Sequence, residues 1–412
     1  MKILIYEYVS GGGFAGQPLA PSLLSEGFAM LRGLTTDFKV AGHEVTVLLD
    51  SRLADFSPPL AADRVVWVSE VDSAALIMKQ AAESNDGVFI VAPEGRRTLQ
   101  KLVECTESSN VNVLNSTSAA IEQAADKAAL AKRLKDLGLN SPKTLVFSAN
   151  DSVDEIARIT EDQIGFPSVF KPSNGAGCSG MSVVRSAKQV LQAVENMKAD
   201  PLGDVIVQEF VEGASASVSL MVAGSNALPV SLNLQDITLA PPEGVSSYNG
   251  GLVPFDHPLK DEAFEMAKRL AESFGNLRGY VGVDVVLSDK GVFVVEVNPR
   301  LTTSYVGLRR VADFNVAEAI TDVALKNTLP DCTQPIGVSC FSKIPVSRPV
   351  MFAWQDFLRM EELISPPFPI ANEEISYALL QSYGDRTEIA LRNLSEAKER
   401  LRETWMRGQN PW

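Results

Sequence analysis

With 412 residues, 45% of them hydrophobic and 21% charged, the chain has a globular composition and the length for two or three packed units. Its formal net charge of −14 argues against nucleic acid and against an anionic membrane surface as partners. Two histidines (His43, His257) and four cysteines without zinc-site spacing (Cys105, Cys178, Cys332, Cys340) argue against histidine-based zinc sites, Ser-His-Asp triads and a disulfide framework.

The first residues read directly as a strand, so no signal peptide is expected, nor any apolar run long enough to span a bilayer; a reducing cytoplasm fits best. Residues 1–115 alternate apolar runs (3–8, 45–49, 65–68, 87–91, 111–114) with segments of helical spacing, the pattern of a parallel α/β sheet. A helix is predicted over 118–137, with Ser118 as N-cap and Gly138 as its stop. Strand-like segments at 143–147, 167–171, 181–185, 205–211 and 216–222, mixed with helical ones at 153–164, 187–197, 261–274 and 316–327, predict an α+β unit over about 116–328.

Within that unit, Lys171 leaves a strand into a loop carrying Ser173, Gly175, Gly177, Ser179 and Gly180. Glycine lets backbone N–H groups approach phosphate oxygens closely, and the lysine adds a point charge. No Gly-Lys-Ser/Thr opens a helix, so this is not a Walker P-loop. Further on, Gln208-Glu209-Phe210-Val211-Glu212-Gly213 is a strand running into a polar segment, able to offer backbone groups to a purine. Tyr248-Asn249-Gly250-Gly251 reads as a mobile segment over a site or as a plain surface loop.

Residues 280–287 and 292–298 read as a hairpin. Period-two alternation puts Val292, Val294, Glu296 and Asn298 on one face of the second strand. If Ser288 pairs with Val292, a three-residue loop ends in Gly291 and Asp284 lies opposite Glu296. Facing carboxylates destabilise a sheet unless a cation lies between them, and oxygen donors suit a hard divalent ion. Residues 329–412 contain breakers at 347–349 and 365–369 and a charged helix at 387–405, and read as an appendage of strands, loops and a terminal helix.

The ordered set Lys127, Lys171 with its Gly-rich loop, the 208–213 segment, Asp284, and Glu296-x-Asn298-x-Arg300 resembles the ATP-grasp superfamily over roughly 115–310. The resemblance implies a parallel α/β pre-ATP-grasp domain (1–115), then a two-subdomain ATP-grasp fold with antiparallel sheets (116–212 for nucleotide, 213–328 for metal) and the 329–412 segment. It implies ATP and two Mg2+ ions as cofactors, with Mn2+ as a stand-in. Lys127 and Lys171 match the phosphate lysines, and Ser173, Gly175, Gly177 and Gly180 the loop over the phosphates. Glu209, Phe210 and Val211 match the adenine hinge, Asp284, Glu296 and Asn298 the metal ligands, and Arg300 a catalytic arginine beside them. In many members an acidic residue for the ribose follows the hinge; here Ala214-Ser215-Ala216-Ser217 stands there, leaving Glu212 or a serine for that contact.

Residues 6–14 (YEYVSGGGF), 25–31 (SEGFAML), 279–284 (GYVGVD) and 298–308 (NPRLTTSYVGL) are similar to the tyramine–L-glutamate ligases of methanofuran biosynthesis. That similarity implies an ADP-forming ligase acting on a small-molecule acid, glutamate, and an amine, tyramine or tyrosine, through an acyl phosphate, with a homodimer compatible. Arg300, Thr302, Thr303 and Ser304 are expected to hold the acid, and Glu7 beside Gly12 and Gly13 an ammonium group.

Two other functions compete. Gly11-x-Gly13-x-x-Gly16 after a strand, with Asp50 ending the next, matches the dinucleotide fingerprint of NAD(P)- or flavin-dependent oxidoreductases. Pro18 and Pro21, however, postpone the helix that should open inside the motif, and the acid comes late. A non-catalytic nucleotide sensor is the third reading, although all three metal ligands and both lysines are present.

Overall fold

The computed structural model describes residues 1–148, 150–173, 178, 180–197, 204–331, 334–347, 354–370 and 374–409. The first sheet contains β1 (Lys2–Glu7), β2 (Glu44–Asp50), β3 (Arg64–Val68), β4 (Gly87–Val91) and β5 (Asn112–Val113), all parallel in the order β3-β2-β1-β4-β5. Both faces are covered, which is why these strands read as continuous apolar runs. Ile3 and Ile5 pack with Phe28, Leu31 and Leu34 of helix Pro21–Val40, while Leu4 and Tyr6 pack with Met78, Leu99 and Val103 of helices Ala74–Ala82 and Thr98–Glu107.

A four-stranded antiparallel sheet follows, built from β6 (Thr144–Phe147), β7 (Ser168–Pro172), β8 (Ser182–Val184) and β9 (Val205–Glu209) in the order β6-β9-β7-β8. The third sheet holds β10 (Ala214–Ala223), β11 (Asn226–Thr238), β12 (Ser247–Val253), β13 (Arg278–Ser288), β14 (Gly291–Asn298), β15 (Val338–Ser347), β16 (Leu363–Ser365) and β17 (Ile375–Gly384). Its antiparallel order is β14-β13-β10-β11-β12-β15-β17-β16. Helix Lys260–Glu272 covers one face through Ala263, Ala267 and Leu270. No described helix is long and apolar enough to cross a membrane.

Four sequence expectations change. The helix over 118–137 breaks at Asp126, whose backbone is extended, giving Ser118–Ala125 and Lys127–Asp136. Thr117, not Ser118, caps the first, and the Asp126 carboxylate accepts from Ala129 N–H at 3.0 Å to cap the second. Lys127 therefore opens a helix instead of riding on the side of one. Residues 248–251 are not a loop: they lie in β12, between β11 and β15, with Gly250 at φ +144 against the Phe341 carbonyl, where a Cβ would not fit.

The third change is the 329–412 segment. It is no appendage, because β15 pairs with β12 and carries the sheet on to β17 and β16, and helix Thr387–Gln409 closes over them. The fourth is the hairpin register. Ser288 pairs with Gly291 (φ +108), leaving only Asp289 and Lys290 to turn the chain. A bulge at Val295 then supplies one extra residue, so Asp284 still faces Glu296. The bulge also switches faces: Val292, Val294 and Val297 join the helix-covered core, and Val295, Glu296 and Asn298 line the opposite side.

Candidate active site

A cavity of about 490 Å³ opens where the three sheets meet. Its centre is the Asp284–Glu296 pair. Asp284 accepts from Gln235 Nε2 and from Asn298 Nδ2, each at 3.1 Å. Burial, and next the charge of Glu296, push the Asp284 carboxyl up to about 6. Glu296 is held the other way. Burial opposes its charge, but Lys127 at 3.1 Å from Oε1 and Lys171 at 4.0 Å from Oε2 bring it down to about 2. Lys171 is itself almost fully enclosed, and burial, then repulsion from Lys127, lower its ammonium to about 8.

These residues fit a hard cation. Two opposed carboxylates, one driven toward its neutral form, are relieved by positive charge between them. Among the described residues no cluster of three Asp, Glu, His or Cys side chains is close enough to hold a metal, and a third oxygen donor for such a cation would have to be the Asn298 amide, whose Nδ2 donates to Asp284.

On the side of the second sheet, Lys171, next to last in β7, points at Glu296, while Glu209, Phe210 and Val211 line the wall at the end of β9. The Glu209 N–H donates to Lys143 O at 2.9 Å, which tethers this segment to the strand entry at 143. Val169, Met181, Val183, Ile237, Leu239 and Val286 supply an apolar lining of the kind a purine needs. Two expected contacts are redirected. Ser173 closes a reciprocal pair with Asp204 (its N–H donates to Asp204 O and its Oγ accepts from Asp204 N–H, both at 2.9 Å), and Glu212 is absent from the wall, where Gly213 and Ser215 appear instead. Gly180 adopts φ +71 beside Pro172, and Gly175 and Gly177 lie outside the described residues.

On the opposite side, Arg300 is half-buried and ion-paired through Nε with Glu94 at 2.9 Å; desolvation disfavours its charge, but Glu94, Glu296 and Asp284 retain it. Thr302 shares a 2.9 Å hydrogen bond with the Tyr280 hydroxyl, Thr303 donates to Glu26 Oε2 at 2.9 Å, and Ser304 lies 3.3 Å from Ser217 Oγ. Glu7 reaches the cavity wall, but its carboxylate is occupied by Val9 N–H (3.1 Å), Ser10 N–H (2.7 Å) and Ser10 Oγ (2.6 Å). It braces its own loop, a job its position at a strand end did not reveal. Gly12 and Gly13 do not line the cavity: Gly12 (φ +88) sits against Val68 and Gly13 against Tyr8.

Sequence reasoning missed Glu26, Glu94, Gln235 and Lys343. Glu26 had a signal, since Leu23, Glu26, Gly27 and Met30 recur at helical spacing with an acid in an otherwise apolar stripe. Glu94 follows Pro93 just past the C-terminal end of a parallel strand, where ligand-facing groups collect. Lys343 and Gln235 had none, because each needs the strand order of the third sheet. The dinucleotide reading loses its footing: the helix starts at Pro21, well past Gly16, and Asp50 is paired with Arg52 at 2.7 Å.

A family model described as a pre ATP-grasp 3 domain matches residues 43–121, and one described as an ATP-grasp domain matches 124–304. The chain is 29% identical over 314 residues to a tyramine–L-glutamate ligase from Methanocaldococcus fervens, covering 74% of this chain and 89% of that protein. Biotin carboxylase from Campylobacter jejuni superposes with a TM-score of 0.72 at 16% identity, covering 100% of this chain and 95% of that one. L-amino acid ligase from Bacillus licheniformis superposes at 0.70 with 15% identity, covering 97% of each. At those identities the two structures speak for the fold alone.

Proposed function

We propose that the chain, matched over residues 43–121 and 124–304 by pre-ATP-grasp and ATP-grasp family models, is an ATP-dependent, ADP-forming carboxylate–amine ligase that joins L-glutamate to tyramine or tyrosine through an acyl phosphate. The observation that carries the reading is the opposition of Asp284 and Glu296 across neighbouring strands, with two lysines converging on Glu296. Asp284, Glu296 and Asn298 would hold Mg2+, two ions in all, with Mn2+ as a substitute. When bound, the metal neutralises triphosphate charge and aligns the γ-phosphoryl group.

The chain's own residues do the rest by position and charge. Lys127 and Lys171, which converge on Glu296, would take up phosphate oxygens there. Arg300, fixed by Glu94, steadies the charge that develops as the acid's carboxylate oxygen bonds to phosphorus and the bond to ADP breaks. The amine nitrogen then bonds to the acyl carbon, inorganic phosphate departs with the electron pair, and the nitrogen gives up a proton. No side-chain nucleophile is required.

The test is an ADP-release screen with glutamate held constant and amines varied. Release dependent on both glutamate and tyramine or tyrosine is expected. Silence across acids and amines, with ATP still bound, would favour a sensor and overturn the proposal.

A further inference from the structure

We propose that Glu26 is the docking point for the ammonium group of the amine substrate, held in place by Lys343 and Thr303; this rests on the ligase reading above. Helix Pro21–Val40 turns one stripe to the cavity: Leu23, Glu26, Gly27 and Met30. Glu26 is its only charge and is 7% exposed. Its Oε1 receives Lys343 Nζ at 2.5 Å and its Oε2 receives Thr303 Oγ1 at 2.9 Å. Lys343 is pinned in turn at 2.7 Å from Ser22 Oγ and does not reach the cavity wall.

A carboxylate offers about four lone-pair directions, so Glu26 keeps acceptor capacity on its cavity side. Glu7 has less to spare, since three hydrogen bonds from its own loop fill its carboxylate against two at Glu26. A buried ion pair is a poor device for stability, since apolar residues of similar volume often do as well or better. A carboxylate kept on a cavity wall with a lysine behind it is therefore best explained by a cation it must meet.

The surroundings narrow the class. Leu23 and Met30 flank Glu26 on the same stripe, and Phe14 lines the same cavity, which suits a primary amine with an apolar or aromatic stem. An amino acid in this subsite would bring its α-carboxylate next to Glu26, with Lys343 already consumed. The subsite thus favours a decarboxylated amine such as tyramine over tyrosine.

The test separates activation of the acid from attack by the amine. With ATP and glutamate, hydroxylamine traps the acyl phosphate as a hydroxamate; as a largely uncharged nucleophile at neutral pH it has no need of Glu26. Glu26→Gln should still form hydroxamate, with KM values for ATP and glutamate within about two-fold of wild type. Its KM for tyramine should rise at least about ten-fold, the scale of one charge-assisted hydrogen bond, and its preference for tyramine over tyrosine should shrink. An unchanged tyramine KM overturns the inference alone, as does loss of hydroxamate together with amide, which would assign Glu26 to the acid. Absence of hydroxamate in the wild type sinks the underlying ligase reading. Should Glu26→Gln fold poorly because Lys343 is left unpaired, Glu26→Gln/Lys343→Met removes both charges and is read the same way.

Discussion

Replacing Lys171 by methionine should make protein stripped of metal and nucleotide more stable at neutral pH while ending its use of ATP. Burial and the Lys127 charge lower the Lys171 ammonium from 10.5 to about 8, even with Glu296 nearby. Carrying that charge in the fold therefore costs about 3 kcal/mol at pH 7. Only 5% of the side chain is exposed, so solvent gives little relief. Methionine fills similar volume without a charge, and the gain should approach that figure. Spread over an unfolding entropy of about 0.9 kcal/mol/K for 412 residues, it raises Tm by about 3 °C if the chain melts as one unit. The sign with pH follows from proton counting. Between about 8 and 10.5 the unfolded lysine is protonated and the folded one is not, so wild-type stability rises with pH across that window. The advantage of the variant should be complete below about pH 8 and vanish toward 10.5. Urea melts in EDTA from pH 7 to 10.5 measure this, and added Mg-ATP should then stabilise wild type but not the variant. A variant equal to or weaker than wild type at pH 7, or an advantage indifferent to pH, would refute the argument that Lys171 is held under electrostatic strain for function.

Glu296→Gln should lower ADP release by at least about 10²-fold, the usual scale for losing one preorganised charge, with an unchanged circular dichroism spectrum; near-normal turnover would remove Glu296 from the metal site. Gly27→Ala should destabilise by about 1–3 kcal/mol, because its Cβ would lie 2.5 Å from a Glu7 oxygen fixed by three hydrogen bonds. In an unobstructed helix the same change stabilises by about 1 kcal/mol, so the sign seen in urea melts decides whether Glu7 is fixed there. Chelation with EDTA should stop ADP release, and either Mg2+ or Mn2+ should restore it; turnover that persists in EDTA after dialysis counts against a catalytic cation.

Much of this protein is legible from the period and order of its residues. Five apolar runs separated by helical spacing announce a parallel sheet, because its inner strands β1, β2 and β4 are buried on both faces. Lys127, Lys171, Asp284, Glu296, Asn298 and Arg300 recur in a recognisable succession, and all but the first sit on strands or strand ends where alternation shows which way a side chain points. Local chemistry carries that much, since neighbours along the chain are neighbours in a strand. The remainder depends on contacts between distant segments. The bulge at Val295 moves Val292 and Val294 away from the face of Glu296, and no period-two pattern encodes an inserted residue. The break at Asp126 frees Lys127 to meet a carboxylate 169 positions away. Lys343 reaches Glu26 only because β15 joins the sheet beside β12, bringing together residues separated by 317 positions. Strand order across such distances depends on which apolar faces bury one another, a property of the assembled core that no short window of sequence contains.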